Sequence, residues 1–301
     1  ATTDDSKVTI VESTTVTNIE TAPTTSGFQL GDDIDGVKGK DEFGYSVSLS
    51  SDGNIVAIGA PYNDNHITID YYNYGHVRVY QRDESNTTVA PIGWTQLGDD
   101  IVGEALNDQS GWSVSLSSDG NIVAIGANGN DANGSNAGHV RVYQYNATKT
   151  TADTNQTSAT FGPAGWNRLG YDIDAEAAGD NLGYSVSLSS DGSIVAIGAY
   201  QNDANGANAG HVRVYQRDES NTNVAPIGWR QLGDDIDGEA ADDKSGQSVS
   251  LSSDGSIVAI SANQNDGTAN NSGHVRVYQY NATKTTADTD QTSATFGPAG
   301  W

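Results

Sequence analysis

The sequence has no cysteine and no methionine. Without cysteine the protein cannot form disulfide bridges or thiolate metal sites, so its stability has to come from packing. No run of apolar residues is long enough to cross a bilayer, and the chain opens at Ala1 without an apolar leader. We expect a mature form from which a signal peptide was removed, although a fragment cut from a longer protein would begin in the same way.

Basic residues are also scarce. The chain has 14 lysines and arginines against 39 aspartates and glutamates, which gives a net charge of -25 at pH 7. Such a surface repels the phosphates of a nucleic acid and the headgroups of an anionic membrane. We therefore expect no nucleic-acid partner and no membrane insertion.

The chain does contain one stretch that occurs four times. In the first copy Val47 and Leu49 alternate with serines, Asp52-Gly53 interrupts the run, and β-branched residues resume at Ile55. This pattern predicts two antiparallel strands joined by a tight Asp-Gly turn. The copies begin at Tyr45, Trp112, Tyr184 and Gln247.

Two more strand-like runs follow each hairpin. One begins with Gly-His-Val-Arg-Val and the other with a tryptophan. Four short strands per unit, without helical periodicity, predict an all-β fold, namely a β-propeller with four four-stranded blades. The sequence leaves open whether the units close a ring, belong to a larger propeller or form an open array. The predicted units cover about 28–94, 95–166, 167–229 and 230–301.

The order of these motifs resembles the FG-GAP repeat, which builds the propeller of integrin α chains and of many bacterial and algal surface proteins. Phe43-Gly44 and Gly59-Ala60-Pro61 are the two signatures that carry the resemblance, and it extends over residues 28–301. The resemblance implies a propeller of four-stranded blades. Later copies replace the phenylalanine and the proline, so the resemblance leaves the ligand open.

Residues 1–27 differ from the repeats and are predicted to form an N-terminal strand and linker ahead of a repeat domain at 28–301. The stretch from Lys7 to Ile19 is rich in β-branched residues and lacks glycine and proline, which predicts one long extended strand. Residues 21–27 have the small, polar, Pro-containing composition of a linker. The apolar residues of this predicted assembly strand are Val8, Ile10, Val11, Val16 and Ile19, followed by Phe28 and Leu30.

The repeat is interrupted at its two ends in a complementary way. Complete units finish with Trp-x-x-Leu-Gly, whereas the sequence reaches only Trp301, and Phe28-Gln29-Leu30-Gly31 matches the remainder. The N-terminal segment therefore fits the last blade, either within one molecule as ring closure or in the next molecule as a graft. A long strand on a Pro-containing linker favours donation to a neighbour, and such a contact propagates into a filament.

Acidic loops are candidate calcium sites, because calcium takes six to eight oxygen ligands. The Asn-Asp loops of the later units supply the candidates Asp131, Asp203 and Asp266. Further acidic clusters recur at 32–35, 99–100, 172–174 and 234–239, where a solvated loop explains them as well. The single carboxylate of Ser-Ser-Asp-Gly is interpreted as turn chemistry, and no other cofactor is expected.

A histidine and an arginine recur in the third strand of every unit. The histidines stand without a second ligand beside them, so we expect a structural role. The arginines alternate with valines and are expected to pair with acidic side chains at the surface, where an ion pair contributes about 0 to 1 kcal/mol. These residues are His76, His139, His211 and His274, with Arg78, Arg141, Arg213 and Arg276.

Asn-x-Ser/Thr sequons predict N-glycosylation in a secreted protein. Most of them lie in Thr-rich loops that precede a tryptophan strand and have no evident packing role. The candidate sites are Asn86, Asn133, Asn146, Asn155, Asn270 and Asn281.

No motif of an enzyme is present. The sequence lacks a Gly-x-Ser-x-Gly elbow, a phosphate-binding Gly-x-x-x-x-Gly-Lys run and a His-x-x-x-His pair. We therefore expect a non-enzymatic protein outside the cell or on its surface, structural or adhesive, that polymerises with itself. The alternative is a binding module whose loops recognise glycans or other surface proteins. Filaments in electron micrographs would distinguish the first from the second.

Overall fold

The computed structural model of the chain describes residues 28–64, 73–290, 293 and 295–301. The chain divides into two units, Ala1–Leu30 and Gly31–Trp301, and the eighteen strands found among the described residues lie in the second. Residues 1–27, which contain Val8, Ile10, Val11, Val16 and Ile19 of the predicted assembly strand, lie outside the described residues. Phe28 and Leu30 are described, and both are exposed. The described part of the chain contains no helix that could span a membrane.

The first sheet has the four-stranded plan that the sequence predicts. Its first three strands pair antiparallel in sequence order, and β4 and β5 pair with the two ends of β3, so together they form an interrupted fourth strand. The strands are β1 (Ser46–Leu49), β2 (Ile55–Ala60), β3 (His76–Arg82), β4 (Trp94–Gln96) and β5 (Ile101–Val102).

The second and third sheets repeat this plan, and the fourth sheet departs from it. The fourth sheet has three strands among the described residues, where the sequence predicts four. The second sheet comprises β6 (Ser113–Leu116), β7 (Ile122–Ala127), β8 (His139–Tyr145), β9 (Trp166–Arg168) and β10 (Ile173–Asp174). The third comprises β11 (Ser185–Leu188), β12 (Ile194–Ala199), β13 (His211–Arg217), β14 (Trp229–Gln231) and β15 (Ile236–Asp237). The fourth comprises β16 (Ser245–Leu251), β17 (Ile257–Ala262) and β18 (His274–Gln279).

The hairpin of each sheet turns through a loop that is wider than predicted. In the first sheet residues 50–54 connect β1 to β2. The hydroxyl of Ser50 donates to Asp52 Oδ1 at 2.7 Å and accepts the N–H of Ile55 at 2.9 Å, while Gly53 has φ +71°. Asp52 also accepts the N–H of Asn54, and these hydrogen bonds, with that from Ser50 the strongest, lower its pKa to about 2. The turn chemistry expected of Ser-Ser-Asp-Gly is confirmed.

The core lies between successive sheets. One face of the first sheet, with Val77 and Val79, packs on the face of the second sheet that carries Val123 and Ile125. The same packing joins the second sheet to the third and the third to the fourth. At about 25 cal/mol per Å² of buried apolar area, these three interfaces provide the stability that no disulfide supplies.

The serines of the innermost strands link one sheet to the next. Ser48 Oγ accepts the N–H of Leu116 at 2.9 Å, and Ser46 Oγ donates to the carbonyl of Gly111 at 2.7 Å. Equivalent bonds from Ser115 and Ser187 reach the third and fourth sheets. The alternation of valine or leucine with serine therefore has two structural roles. The apolar side chains pack against a neighbouring sheet, and the serine hydroxyls form hydrogen bonds to a neighbouring sheet.

Candidate assembly interface

The outward face of the fourth sheet is apolar and exposed. We call it the trailing face and define it by Ile257, Val275 and Val277. Val275 is 64% exposed and Val277 is 66% exposed. In the third sheet the equivalent Val212 and Val214 are 0% and 1% exposed, because the fourth sheet covers them. The trailing face therefore has the residues of an interface without the sheet that covers them elsewhere.

The opposite face of the first sheet is its complement. We call it the leading face and define it by Val47, Leu49 and Ile58. Val47 is 64% and Leu49 is 60% exposed, whereas the equivalent Val114 and Leu116 of the second sheet are 9% and 7% exposed. The exposed valines and leucine at the two ends show that the first and fourth sheets of one chain do not cover these positions for each other.

A short segment lies against the first sheet, as it would if another sheet preceded it. We call residues 31–36 the leading segment. The N–H of Asp32 donates to the carbonyl of Ile92 at 2.8 Å, and Ile34 packs against the buried cluster of Ile58, Tyr80 and Trp94. The corresponding N–H groups before the second, third and fourth sheets make the same bond, at 2.9, 2.8 and 2.9 Å. Those three are Asp99 to Ala164, Tyr171 to Ile227 and Asp234 to Ala299.

The outer edge of the fourth sheet differs from that of the other three. In the first sheet the carbonyl of Val79 accepts the N–H of Leu97 at 2.8 Å, and Val142 and Val214 accept from the equivalent leucines at 2.7 and 2.8 Å. The described residues place no strand beside β18 on that side. The carbonyl of Val277 lies at the equivalent position of β18.

The recurrent arginines lie deeper than the sequence predicts. Arg141 is buried and donates to both carboxylate oxygens of Asp172, at 3.0 and 2.9 Å, and it also pairs with Glu104. Burial opposes ionisation of Asp172, but the hydrogen bonds and charge of Arg141 outweigh it and hold the pKa of Asp172 below its ordinary value. The expectation of surface pairs is wrong for Arg141 and for Arg213, which is also buried. Breaking one partner of such a pair costs about 3–5 kcal/mol.

The histidines of the second and third sheets are buried beside these ion pairs. His139 Nδ1 lies 3.9 Å from Asp174 Oδ1 and has no hydrogen-bond partner among the described residues. Burial, assisted by the charge of Arg141, lowers the pKa of His139 to about 3, so the imidazole is neutral. Glu104, His139 and Asp172 are close enough together to hold a metal ion. Because Arg141 already occupies both carboxylates, we interpret this group as an ion-pair network.

The calcium candidates are placed in turns. Asp131 Oδ1 accepts the N–H of Asn136 at 2.7 Å, and Asp203 and Asp266 make the same bond to Asn208 and Asn271, at 2.7 and 2.6 Å. Among the described residues none of the three joins a group of acidic side chains close enough to share a metal ion. Turn geometry accounts for these aspartates, and calcium binding by them stays a prediction.

The glycosylation candidates differ in what their amide nitrogen does. Asn86 Nδ2 donates to three carbonyls, those of Val89, Pro91 and Trp94, at 2.8, 3.2 and 2.7 Å. Asn133 Nδ2 donates to the carbonyl of Ala175 at 2.8 Å. The structure places Asn146, Asn155 and Asn281 in loops where the side-chain oxygen accepts from the threonine two residues on, at 2.7, 2.9 and 2.7 Å. Asn270 is exposed.

A row of aromatic rings, which was not predicted from the sequence, runs across the first three sheets. The ring centroids of Tyr45 and Trp112 lie 4.7 Å apart, those of Trp112 and Tyr184 5.4 Å, and those of Tyr184 and Tyr200 4.2 Å. Burial, with the nearby Tyr62, raises the pKa of Tyr45 to about 12. The sequence signal for this row is an aromatic residue directly after the glycine that opens the hairpin, which is present in three of the four copies. In the fourth copy Gln247 takes this position.

The comparison with protein families identifies the repeat. The family model described as the FG-GAP repeat matches residues 35–80, 103–143 and 174–215. The chain therefore contains FG-GAP repeats, and the predicted family and the all-β, propeller-blade fold are confirmed. The fourth copy lies outside the matched ranges, although β16, β17 and β18 follow the same order.

Two solved structures are similar to part of this chain. The Cps50 β-propeller domain of Myceliophteria thermophila matches with 11% identity and a TM-score of 0.41, covering 78% of this chain and 50% of its own. Sqt1 of Chaetomium thermophilum, bound to the N-terminus of a ribosomal protein, matches with 14% identity and a TM-score of 0.45, covering 87% of this chain and 51% of its own. The chain spans about half the length of these structures. No curated protein sequence matches the chain.

Proposed function

We propose that the protein is a non-enzymatic structural module that assembles head to tail with further copies of itself. The observation that carries this proposal is the trailing face, where valines that are buried in every internal interface lie exposed. FG-GAP repeats form a fold suited to binding ligands or other proteins. In this chain the partner that fits the trailing face has the chemistry of the leading face.

The two faces match because the internal interfaces already join them. Wherever one sheet follows another, a face like the trailing face packs on a face like the leading face, as Val77 and Val79 pack on Val123 and Ile125. Burying a valine contributes about 1.5–3 kcal/mol relative to leaving it exposed. A contact between two different surfaces leaves one free surface at each end of the assembly. Further copies therefore add to it and extend it into a filament, unless the rotation between copies closes a ring.

Replacing Val277 by aspartate tests this proposal. A charge on the trailing face should abolish assembly, because a buried carboxylate without a partner is strongly unfavourable. Sedimentation velocity and negative-stain microscopy of the full chain measure the outcome. The matched control is Val224→Asp, because Val224 is 69% exposed in a loop away from both faces. Equal assembly of the Val277→Asp variant and the parent would overturn the proposal.

The predicted assembly strand is a second element of the same proposal. Residues Val8 to Ile19 have the composition of a donated strand, and we propose that they strengthen the contact between copies. Deleting residues 1–20 should then weaken assembly without unfolding the repeats. Assembly that is unchanged by the deletion would remove this strand from the proposal and leave the face-to-face contact.

A location outside the cell, with glycans on the outer loops, completes the proposal. It is supported by the sequons and by the threonine contacts of Asn146, Asn155 and Asn281.

A second function, glycan binding, is favoured by the aromatic row. Tyrosine and tryptophan present an apolar ring together with a polar group, which suits a ligand that has both kinds of surface. Tyr45 is the most accessible ring of the row. Binding to a glycan array that Tyr45→Ala abolishes, in a variant that still assembles, would establish this second function.

A further inference from the structure

We propose that the leading segment of one copy, together with Leu30, completes the open edge of the fourth sheet in the adjacent copy. The proposal rests on the head-to-tail assembly and names the contact that joins the copies. It assigns Leu30 and Ile34 to backbone pairing with β18, and Asp33 to an ion pair with Arg276.

The backbone pairing follows from the register of the complete sheets. In the first three sheets the third strand pairs with an isoleucine of the following segment, and its outer carbonyl accepts the N–H of a leucine. Val275 and Val277 hold these two positions in β18. By the same register Ile34 of the adjacent copy lies beside Val275, and Leu30 donates its N–H to Val277. The register pairs are Val77 with Ile101, Val140 with Ile173 and Val212 with Ile236.

The charges follow the same pattern. Arg78 donates to Asp100 at 2.8 and 2.7 Å, Arg141 to Asp172 at 3.0 and 2.9 Å, and Arg213 lies 3.3 Å from Asp235. In each case the aspartate comes from the segment that leads to the next sheet. Arg276 pairs with Glu239, as Arg141 pairs with Glu104. Asp33 of the adjacent copy has the position of the second carboxylate.

The leading segment is already held in the conformation that this contact needs. Asp32 is bonded to Ile92 as its counterparts are bonded ahead of the other sheets. A Cβ on Gly31 would lie 2.6 Å from the carbonyl of Ile92 and 2.8 Å from the indole nitrogen of Trp94, and at Gly98 the corresponding distances to Ala164 and Trp166 are the same. Since the segment is ordered on the leading face before the copies meet, little conformational entropy is lost when they bind.

The innermost strands of the two copies meet differently. Gly59, Gly126 and Gly198 let the carbonyl of the next sheet approach so closely that a Cβ at these positions would collide with it. Ser261 stands at the equivalent position of β17, and its Oγ accepts the N–H of Ser248 at 3.0 Å. The serine keeps the inner strands of two copies farther apart than those of two sheets in one chain. Successive copies therefore meet at a different angle from successive sheets, and the outer edge carries more of the contact.

Paired cysteines test the backbone pairing, because the chain has no cysteine of its own. The register that pairs Gln81 with Thr95 predicts that Gln279 lies opposite Phe28 of the adjacent copy. Paired strand positions lie within reach of a disulfide. Oxidation of Phe28→Cys/Gln279→Cys should give a ladder of covalent oligomers on a non-reducing gel. The matched control is Gln216→Cys/Arg230→Cys within the third sheet, which should give a cross-linked monomer.

Two other results are possible in the cross-linking experiment, and either one would overturn the inference. A cross-linked monomer of Phe28→Cys/Gln279→Cys would mean that the segment closes on its own chain. Assembly without any cross-link would mean that the faces stack while the edge of β18 stays open, so the proposed function would stand and this inference would fall. Loss of assembly in Val277→Asp is the separate test of the proposed function.

Charge reversal tests the ion pair. Asp33→Arg should raise the concentration needed for assembly by roughly tenfold, since it sets a like charge against Arg276. Glu219→Arg is the matched control, with the same change of charge on an exposed side chain beside the third sheet, outside the proposed contact, and should change that concentration by less than about threefold. Equal effects of the two variants would contradict the assigned pair.

Discussion

The third and fourth sheets carry nearly the same residues in different surroundings. Val212 in the third sheet is buried under its neighbour, and Val275 at the same position of the fourth sheet is exposed. Both belong to the same Gly-His-Val-Arg-Val run. The difference teaches that position in the array, not local sequence, decides burial in this protein. An exposed face made of residues that are buried elsewhere in the chain indicates the chemistry of a partner that would cover it.

The largest expected effect comes from a charge at these two positions. Val212→Asp should prevent folding or reduce the free energy of unfolding by at least about 4 kcal/mol, because the carboxylate has no partner in the core. Val275→Asp should leave the stability of the unassembled chain within about 0.5 kcal/mol of the parent. Urea unfolding followed by circular dichroism measures both. Similar losses in the two variants would mean that the trailing face is covered within one chain.

A smaller effect is expected where glycine and serine exchange places. Gly198→Ser should destabilise the chain by about 1–3 kcal/mol, because the added side chain meets the carbonyl of Gly246 and forces a backbone shift. Ser261→Gly should destabilise the isolated chain by about 1 kcal/mol, through the lost hydrogen bond to Ser248, and yet lower the concentration needed for assembly. Thermal unfolding and sedimentation measure the pair. If Ser261→Gly weakened assembly, the inner strands of successive copies would not meet in the way that we propose.

The repeated hairpin made most of the fold predictable. Strict alternation around Val47 and the β-branched run from Ile55 predict two strands, and the structure has them as β1 and β2. The loop between them was predicted too short, because the sequence does not reveal that the Ser50 hydroxyl replaces a backbone partner for Ile55. The interrupted fourth strand was also beyond sequence reasoning, since β5 has only two residues.

The surfaces proposed for assembly were only partly predictable. The match of residues 28–31 to the end of a unit pointed to the open edge of the fourth sheet. The depth of Arg141 was missed, because a charged residue that alternates with valines looks solvent-facing until the next segment folds over it. The role that we propose for Asp33 could not be inferred from the sequence, because it rests on the pairing of Asp172 with Arg141, which are 31 residues apart in the chain.

Buried histidines should make the free energy of unfolding depend on pH. Burial lowers the pKa of His139 to about 3, and burial likewise lowers the pKa of His211. The unfolded chain then binds more protons, so the stability contributed by neutral His139 is complete above about pH 6.5 and is lost as the pH falls towards 3, by up to about 1.4 kcal/mol per pH unit. His139→Gln should flatten urea-derived stability between these limits. An unchanged slope would mean that His139 is protonated in the folded chain.

The smallest effect concerns the outer loops, where glycosylation should depend on the loop and not on the place of its sheet in the array. Asn146 and Asn281 lie in nearly identical inserts of the second and fourth units, and each accepts a bond from the threonine two residues on. The side-chain nitrogen of Asn86 donates hydrogen bonds to three carbonyls. Asn221, which lies in no sequon, makes the same three hydrogen bonds in the third unit. A glycan on Asn86 would therefore break bonds that hold the loop.

We expect Asn146 and Asn281 to be occupied to a similar extent, and Asn86 to be unmodified, when the chain is secreted from a eukaryotic host. Peptide mass spectrometry before and after enzymatic deglycosylation measures occupancy at each asparagine. Asn281→Gln serves as the control for assignment, and it should leave stability within about 0.5 kcal/mol of the parent because the site is exposed. Occupancy of Asn86 equal to that of Asn281 would show that its loop opens readily. Occupancy of Asn146 alone would instead mean that the fourth unit is shielded by the next copy before the glycan is added.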